Sequence, residues 1–194
     1  MVFSDEQLML LFGRGRRDAF DELYHRHANR LFGYVRKMTA GQEVEVEDLV
    51  QEIFIRVAKA APNYKATAKF STWLYRVATN TCLNALDRKK RHPHLRVIKG
   101  STENKSRSGC PASVLELAEG KVALNKAMKT LPNKQRAVFV LRQVEELSYE
   151  EIAAALELPL GTVKTHLHRA RAQLARSLSD FLGNNSSTIA KGQK

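Results

Sequence analysis

Apolar residues recur along this chain at spacings of three and four, the pattern of helices with one buried face. Phe20, Leu23, Tyr24, Leu31, Tyr34 and Val35 follow it, as do Leu49, Ile53 and Val57. Val114, Leu117, Leu124, Ala127, Met128 and Leu131 begin a second series after a gap, and Ala137, Val138, Leu141 and Val144 a third, with Pro132 standing where a following helix would begin. Runs of alternating β-branched residues are missing, so the pattern predicts an all-α fold. The gap, HPHLRVIKGSTENKSRSGCPAS at residues 92–113, is rich in His, Pro, Gly, Ser, Lys and Asn. So little apolar surface cannot offset the entropy of ordering. The 194 residues are enough for two small domains. The organisation expected is a helical domain over 1–91, a flexible linker over 92–113, a second helical domain over 114–183 and a disordered tail over 184–194, where NNSSTIAKGQK loses periodicity.

The second domain contains the most specific local signal, SYEEIAAALELPLGTVKTHLHRAR at residues 148–171. Ser148 followed by Glu151 is a capping box, in which each side chain takes a free backbone N–H of the first helical turn. Tyr149, Ile152, Ala153 and Leu156 form an inward stripe, and Leu158-Pro159-Leu160-Gly161 then breaks the helix. In the next helix Val163, Leu167, Ala170 and Leu174 share a buried face, which leaves Lys164, Thr165, His168, Arg169 and Arg171 outward. The arrangement reads as a helix-turn-helix with a basic second helix, suited to duplex DNA. Charge agrees with this: residues 145–157 hold five acids and no base, whereas 158–179 hold Lys164, Arg169, Arg171 and Arg176 and no acid. An ordinary helical hairpin with a solvated basic face is the plainer alternative.

Across the whole chain 32 Lys and Arg face 20 Asp and Glu, a formal charge of +12 that fits a polyanionic partner. The excess is spread, with 16 bases and 11 acids over 1–91, 4 and 1 over 92–113, and 12 and 8 over 114–194. Cys82 and Cys110 make neither a disulfide framework nor a zinc motif, and an inert buried thiol is the default for each. The start, MVFSDEQLMLLFGRG, puts acids before a short apolar run, unlike an export signal, and no apolar run reaches the roughly twenty residues of a membrane span. A cytoplasmic protein is expected, with no cofactor and no catalytic carboxylate or histidine cluster.

In the first domain, residues 63–91 bring Tyr64, Phe70, Trp73 and Tyr75 together upstream of Arg88-Lys89-Lys90-Arg91. Rings interleaved with bases suit single-stranded nucleic acid, where bases stack and cations follow phosphates. The rings suit a core equally well, and a basic helix end also complements the helix dipole.

Three segments in order resemble the extracytoplasmic-function (ECF) subfamily of the bacterial sigma-70 factors of RNA polymerase. DAFDELYHRHANRLFGYVRKM (18–38) with VEDLVQEIFIRVAKAAPNY (46–64) is similar to the opening of sigma region two, and FSTWLYRVATNTCLNALDRKKR (70–91) to its promoter-reading helix. LPNKQRAVFVLRQVEELSYEEIAAALELPLGTVKTHLHRARAQL (131–174) is similar to sigma region four. The resemblance implies an alternative, stress-type sigma factor that binds core polymerase, directs it to promoters and assists opening, with no enzymatic activity. It implies that Asp48, Gln51 and Glu52 dock on the β′ clamp helices, and that the second domain meets the β flap. For the minus-ten element it implies Tyr64 and Lys65 in the loop that captures an extruded base, Asn80 and Asn84 on the following helix, and Arg88, Lys89, Lys90 and Arg91 on phosphates. For the minus-thirty-five element it implies Lys164, Thr165, His168 and Arg169 in the major groove, with Arg171 at the helix end. An anti-sigma protein, cytoplasmic or membrane-bound, is a further implied partner.

Two departures bear on these expectations. Where housekeeping sigma factors have a duplex-wedging tryptophan pair, this chain has Arg76 and Val77, which implies weaker melting and stricter promoter choice. After the recognition lysine, Thr165-His166 replaces the frequent Ser-Arg. A dimeric helix-turn-helix regulator would account for the second domain but not for DLVQEIF or FSTWL. A small nuclease would need a metal or acid-base cluster that the acids do not supply.

Overall fold

The computed structural model describes residues 3–40, 42, 44–91 and 112–189. Helices α1 (Asp5–Gly13), α2 (Arg17–Thr39), α3 (Val46–Ala60) and α4 (Phe70–Arg91) form the first lobe, with a short 3-10 turn at Ala61–Asn63. Helices α5 (Ala112–Thr130), α6 (Asn133–Gln143), α7 (Tyr149–Leu156) and α8 (Leu160–Ile189) form the second. All regular structure among the described residues is helical, and no helix there is long and apolar enough to cross a membrane. The expected linker lies almost wholly outside the described residues; α5 already begins at Ala112. At the other end the expected tail is partly helix. Asn and Ser are tolerated there, so α8 runs through Gly183 to Ile189, and residues 190–194 lie outside the description.

The first lobe is sealed by the stripes that the periodicity marks. Leu23, Leu31, Tyr34 and Val35 of α2 meet Leu49, Ile53 and Val57 of α3, with Phe70, Leu74 and Ala78 of α4 closing the core. Tyr24 departs from expectation and stays 40% exposed. Two local features set the packing. Gly13 lies against the Ala61 carbonyl, so closely that a Cβ could not fit. Glu6 of α1 accepts the Phe70 N–H at 2.7 Å, capping α4 from a different helix, and this bond holds its carboxyl below the ordinary range. Cys82 is fully buried, and burial pushes its thiol up to about 12.

In the second lobe α6 and α8 pack through Ala137, Val138 and Leu141 against Val163, Leu167 and Ala170. Leu124 is 42% exposed, and Ala123 turns inward in its place. The turn between α6 and α7 passes through Glu146 with φ of 58°. Arg142 holds this turn by donating to the Leu147 carbonyl at 2.8 Å while lying over the Tyr149 ring.

The lobes are not separate bodies. Arg136 of α6, 1% exposed, donates to the Met38 carbonyl of α2 at 2.8 Å. The Tyr75 hydroxyl donates to Glu145, and Lys69 pairs with Glu151 at 2.7 Å. Helix α7 therefore lies on the start of α4.

Two stability measurements follow. Gly13→Ala overpacks the contact with Ala61 and is expected to cost about 1–3 kcal/mol in urea unfolding. Glu6→Ala leaves the α4 cap open and is expected to cost about 1 kcal/mol near neutral pH. Because the folded-state pKa of Glu6 is depressed, its contribution is complete above the unfolded-state carboxyl value and is lost as pH falls through the folded one. The gap between wild type and Glu6→Ala should therefore close in acid unfolding curves.

Candidate nucleic-acid interface

The helix-turn-helix is built from local chemistry. Ser148 Oγ accepts the Glu151 N–H at 3.1 Å and Glu151 accepts the Ser148 N–H at 2.9 Å, completing the capping box. Ile152 and Ala155 are the buried centre of α7, with Tyr149, Ala153 and Leu156 at its margins. The chain turns at Glu157, which takes φ of 53°, and not at Gly161, which lies within the first turn of α8. Non-glycine residues seldom adopt this region, so composition points to the wrong residue. On α8 the residues Val163, Leu167, Ala170 and Leu174 are at most 4% exposed. Lys164, Thr165, His168, Arg169 and Arg171 all lie on the exposed side, forming a cationic strip. Thr165 Oγ1 donates back to the Gly161 carbonyl at 2.9 Å. His166 is half-buried, and burial, then Arg169 and Lys134, hold its imidazole below the ordinary value.

On the first lobe the expected minus-ten residues lie along α4 and the loop before it. Of the four aromatics, Phe70 and Tyr75 are core residues at 1% and 5% exposure. Trp73 and Tyr64 are half-buried and meet edge to face with centroids 5.3 Å apart. The Tyr64 hydroxyl is buried without a partner, and burial pushes its pKa up. Lys65 is exposed beside it. Asn80 and Asn84 sit exposed one turn apart, and Arg88, Lys90 and Arg91 continue the exposed strip with Lys89 half-buried. Tyr64, Lys65, Trp73, Arg76 and, from α7, Ala154 line a small cavity of about 70 Å³.

A different chemistry marks α3. Asp48 and Gln51 are exposed, while Glu52 pairs with Arg56 one turn on at 2.6 Å. Beside Gln51 lies an apolar groove of about 490 Å³ lined by Phe20, Tyr24, Phe32, Val50, Phe54 and Ile55. Sequence reasoning did not anticipate this groove. Its signal was Ile55, an apolar residue off the buried stripe and 53% exposed. Among the described residues no group of three or more His, Cys, Asp or Glu is arranged to hold a metal ion.

Comparison with known proteins matches this division into lobes. Residues 23–92 match the family model for sigma-70 region 2, and residues 121–174 match that for sigma-70 region 4. The ECF RNA polymerase sigma factor SigW of Bacillus subtilis is 33% identical over 175 residues, covering 87% of this chain and 93% of that protein. The ECF RNA polymerase sigma-E factor of Escherichia coli strain K12 is 31% identical over 186 residues, covering 92% and 96%. Among solved structures, CnrH in complex with the cytosolic domain of CnrY superposes with a TM-score of 0.66 at 26% identity, covering 91% of this chain and 97% of that one. With two helical lobes matching regions 2 and 4 and relatives aligned over most of their length, the chain belongs to the ECF subfamily of sigma-70 factors, which are transcription initiation factors and not enzymes.

Proposed function

We propose that this ECF sigma factor binds core RNA polymerase through α3, reads the minus-thirty-five element with α8, and captures the minus-ten strand with the loop at residues 63–69 and α4. The observation that carries this reading is the clean division of α8: a buried apolar stripe on one side, and Lys164, Thr165, His168, Arg169 and Arg171 exposed on the other. A helix held in this way presents side chains to base edges in a major groove, with the preceding helix across the backbone. Asn80 and Asn84, each able to donate and accept, suit reading of base edges, and Arg88 to Arg91 suit phosphates.

Asp48, Gln51 and Glu52 face the clamp helices of β′ in this reading, and the adjoining groove supports it by offering apolar contact beside polar ones. The second lobe meets the β flap. An anti-sigma protein is a further partner: the resemblance implies one, and CnrH, which shares this fold, was solved with the cytosolic domain of a second protein. Such a factor works in the bacterial cytoplasm, and a membrane-bound anti-sigma partner would retain it there at the membrane face.

Run-off transcription with purified core polymerase, on a pool of promoter-bearing fragments from the same genome, tests the reading directly. The chain is expected to produce discrete new transcripts. Gln51→Ala and Glu52→Lys should lower them about tenfold or more while leaving binding of the second lobe to duplex DNA intact. Arg169→Ala should weaken binding to the selected duplex by about 1–3 kcal/mol and relax base preference. Lys90→Ala should instead reduce the salt dependence of open-complex formation by about one unit of slope. Tight duplex binding without polymerase, and no transcripts with it, would favour a dimeric regulator.

A further inference from the structure

Helix α4 starts without a cap from its own neighbours. The residue before Phe70 is Lys69, whose side chain has no acceptor, although the N–H groups of a first helical turn need partners from outside the helix. The partner comes from α1. Glu6 accepts the Phe70 N–H at 2.7 Å, and this bond is the largest cause holding the Glu6 carboxyl below its ordinary range. The start of α4 is thereby tied to α1.

The same helix holds the other end of the loop proposed to capture the minus-ten base. Gly13 lies against the Ala61 carbonyl with no room for a Cβ, so α1 meets the turn at Ala61–Asn63 backbone to backbone. Residues 63–69 are therefore slung between two points on α1. Inside the loop the Tyr64 N–H donates to the Ala61 carbonyl at 3.2 Å and the Thr67 N–H to the Lys65 carbonyl at 2.8 Å, while no helix stiffens residues 64–69. Its shape depends on where its ends are held.

Side chains join the two anchors. Asp5 accepts from Arg26 at 2.9 Å and lies 2.7 Å from His27 Nε2, and the His27 ring packs on Phe70 with centroids 5.3 Å apart. Phe70 in turn meets Trp73 at 5.8 Å and Tyr64 at 6.2 Å. Burial first, and then the charges of Glu6 and Asp5, raise the pKa of the Tyr64 hydroxyl, so the ring that faces the loop lies in the field of both carboxylates. Contact from Asp5 through His27 and Phe70 to Tyr64 is continuous.

Carboxylates repel a phosphate backbone, so neither Asp5 nor Glu6 suits a DNA contact. A loop that reads a base must still keep its atoms within about half an ångström of the productive geometry, and supporting hydrogen bonds supply that precision. We infer that Glu6 is a positioning residue for promoter reading: by capping α4 from α1 it fixes the loop at 63–69, and so sets how strictly the minus-ten element is chosen, without touching DNA. This rests on the sigma-factor reading above and gives a task to α1, which that reading leaves without one.

The test uses the full chain with core polymerase on a run-off promoter carrying single-base replacements in either element. It reads the ratio of transcript from the matched promoter to that from each replaced one. Glu6→Ala should lower this ratio about fivefold in the minus-ten element and leave the minus-thirty-five ratios unchanged. Glu6→Gln, whose amide oxygen can still accept the Phe70 N–H, should stay within about twofold of wild type. Val35→Ala, a cavity in the core of the same lobe, should reduce total transcript without altering either ratio. Gly13→Ala presses on the other end of the loop, and should reproduce the minus-ten loss even if Glu6→Ala does not fold. Unchanged minus-ten ratios in Glu6→Ala or Gly13→Ala, an equal fall at both elements, or a fall as large in Val35→Ala would overturn the inference. A glutamine variant as lax as the alanine one would do the same. Absence of transcripts with the wild-type chain would instead remove the sigma-factor reading itself.

Discussion

A guanidinium taken out of water must be given acceptors, and the two terminal nitrogens of Arg136 find them at the ends of two helices, while its Nε is buried without one. One nitrogen donates to Met38 near the end of α2, and the other to Leu131 at 3.0 Å and Lys129 at 3.2 Å near the end of α5. Carbonyls at helix C-termini have no partners within the helix and carry its partial negative charge, so a buried cation is at home there. Burial pulls the Arg136 pKa down, yet arginine starts so high that the charge remains. This side chain fixes α6 against α2, and the rest follows along the chain. Glu145, just past the end of α6, reaches Tyr75 and Arg30, and the short turn then lays α7 over α4.

Short-range features were legible in the sequence, and long-range polar ones were not. The capping box at Ser148, the buried stripe of α8 and the core face of α3 each involve residues within a few turns, where spacing determines direction. The bonds that dock the lobes join residues 70 to 98 positions apart, and no periodicity marks a lysine that will meet a particular glutamate. Glu6 on Phe70 is of the same kind, 64 positions apart. Tyr64 and Trp73 were ambiguous because a ring can serve a core or a base. In the structure both rings are half-buried, with part of each packed on the core and part open. The composition of residues 184–189 suggested disorder, but a helix already running needs only one new hydrogen bond per residue to continue.

Recognition divided between the lobes, as proposed above, has an energetic logic. Each surface is small, and neither needs high affinity if a third body sets their separation, because linked contacts add through effective concentration. Lys69 just before α4 and Arg76 on it pair with Glu151 and Glu157 of α7, while the buried apolar residues of the two lobes form one continuous cluster.

Cys82 sits in the centre of that core with no exposed surface and a thiol raised to about 12 by burial. Peroxides and disulfides react with thiolate, and at neutral pH this sulfur is almost wholly protonated and sheltered besides. The first lobe therefore does not register oxidants at this position.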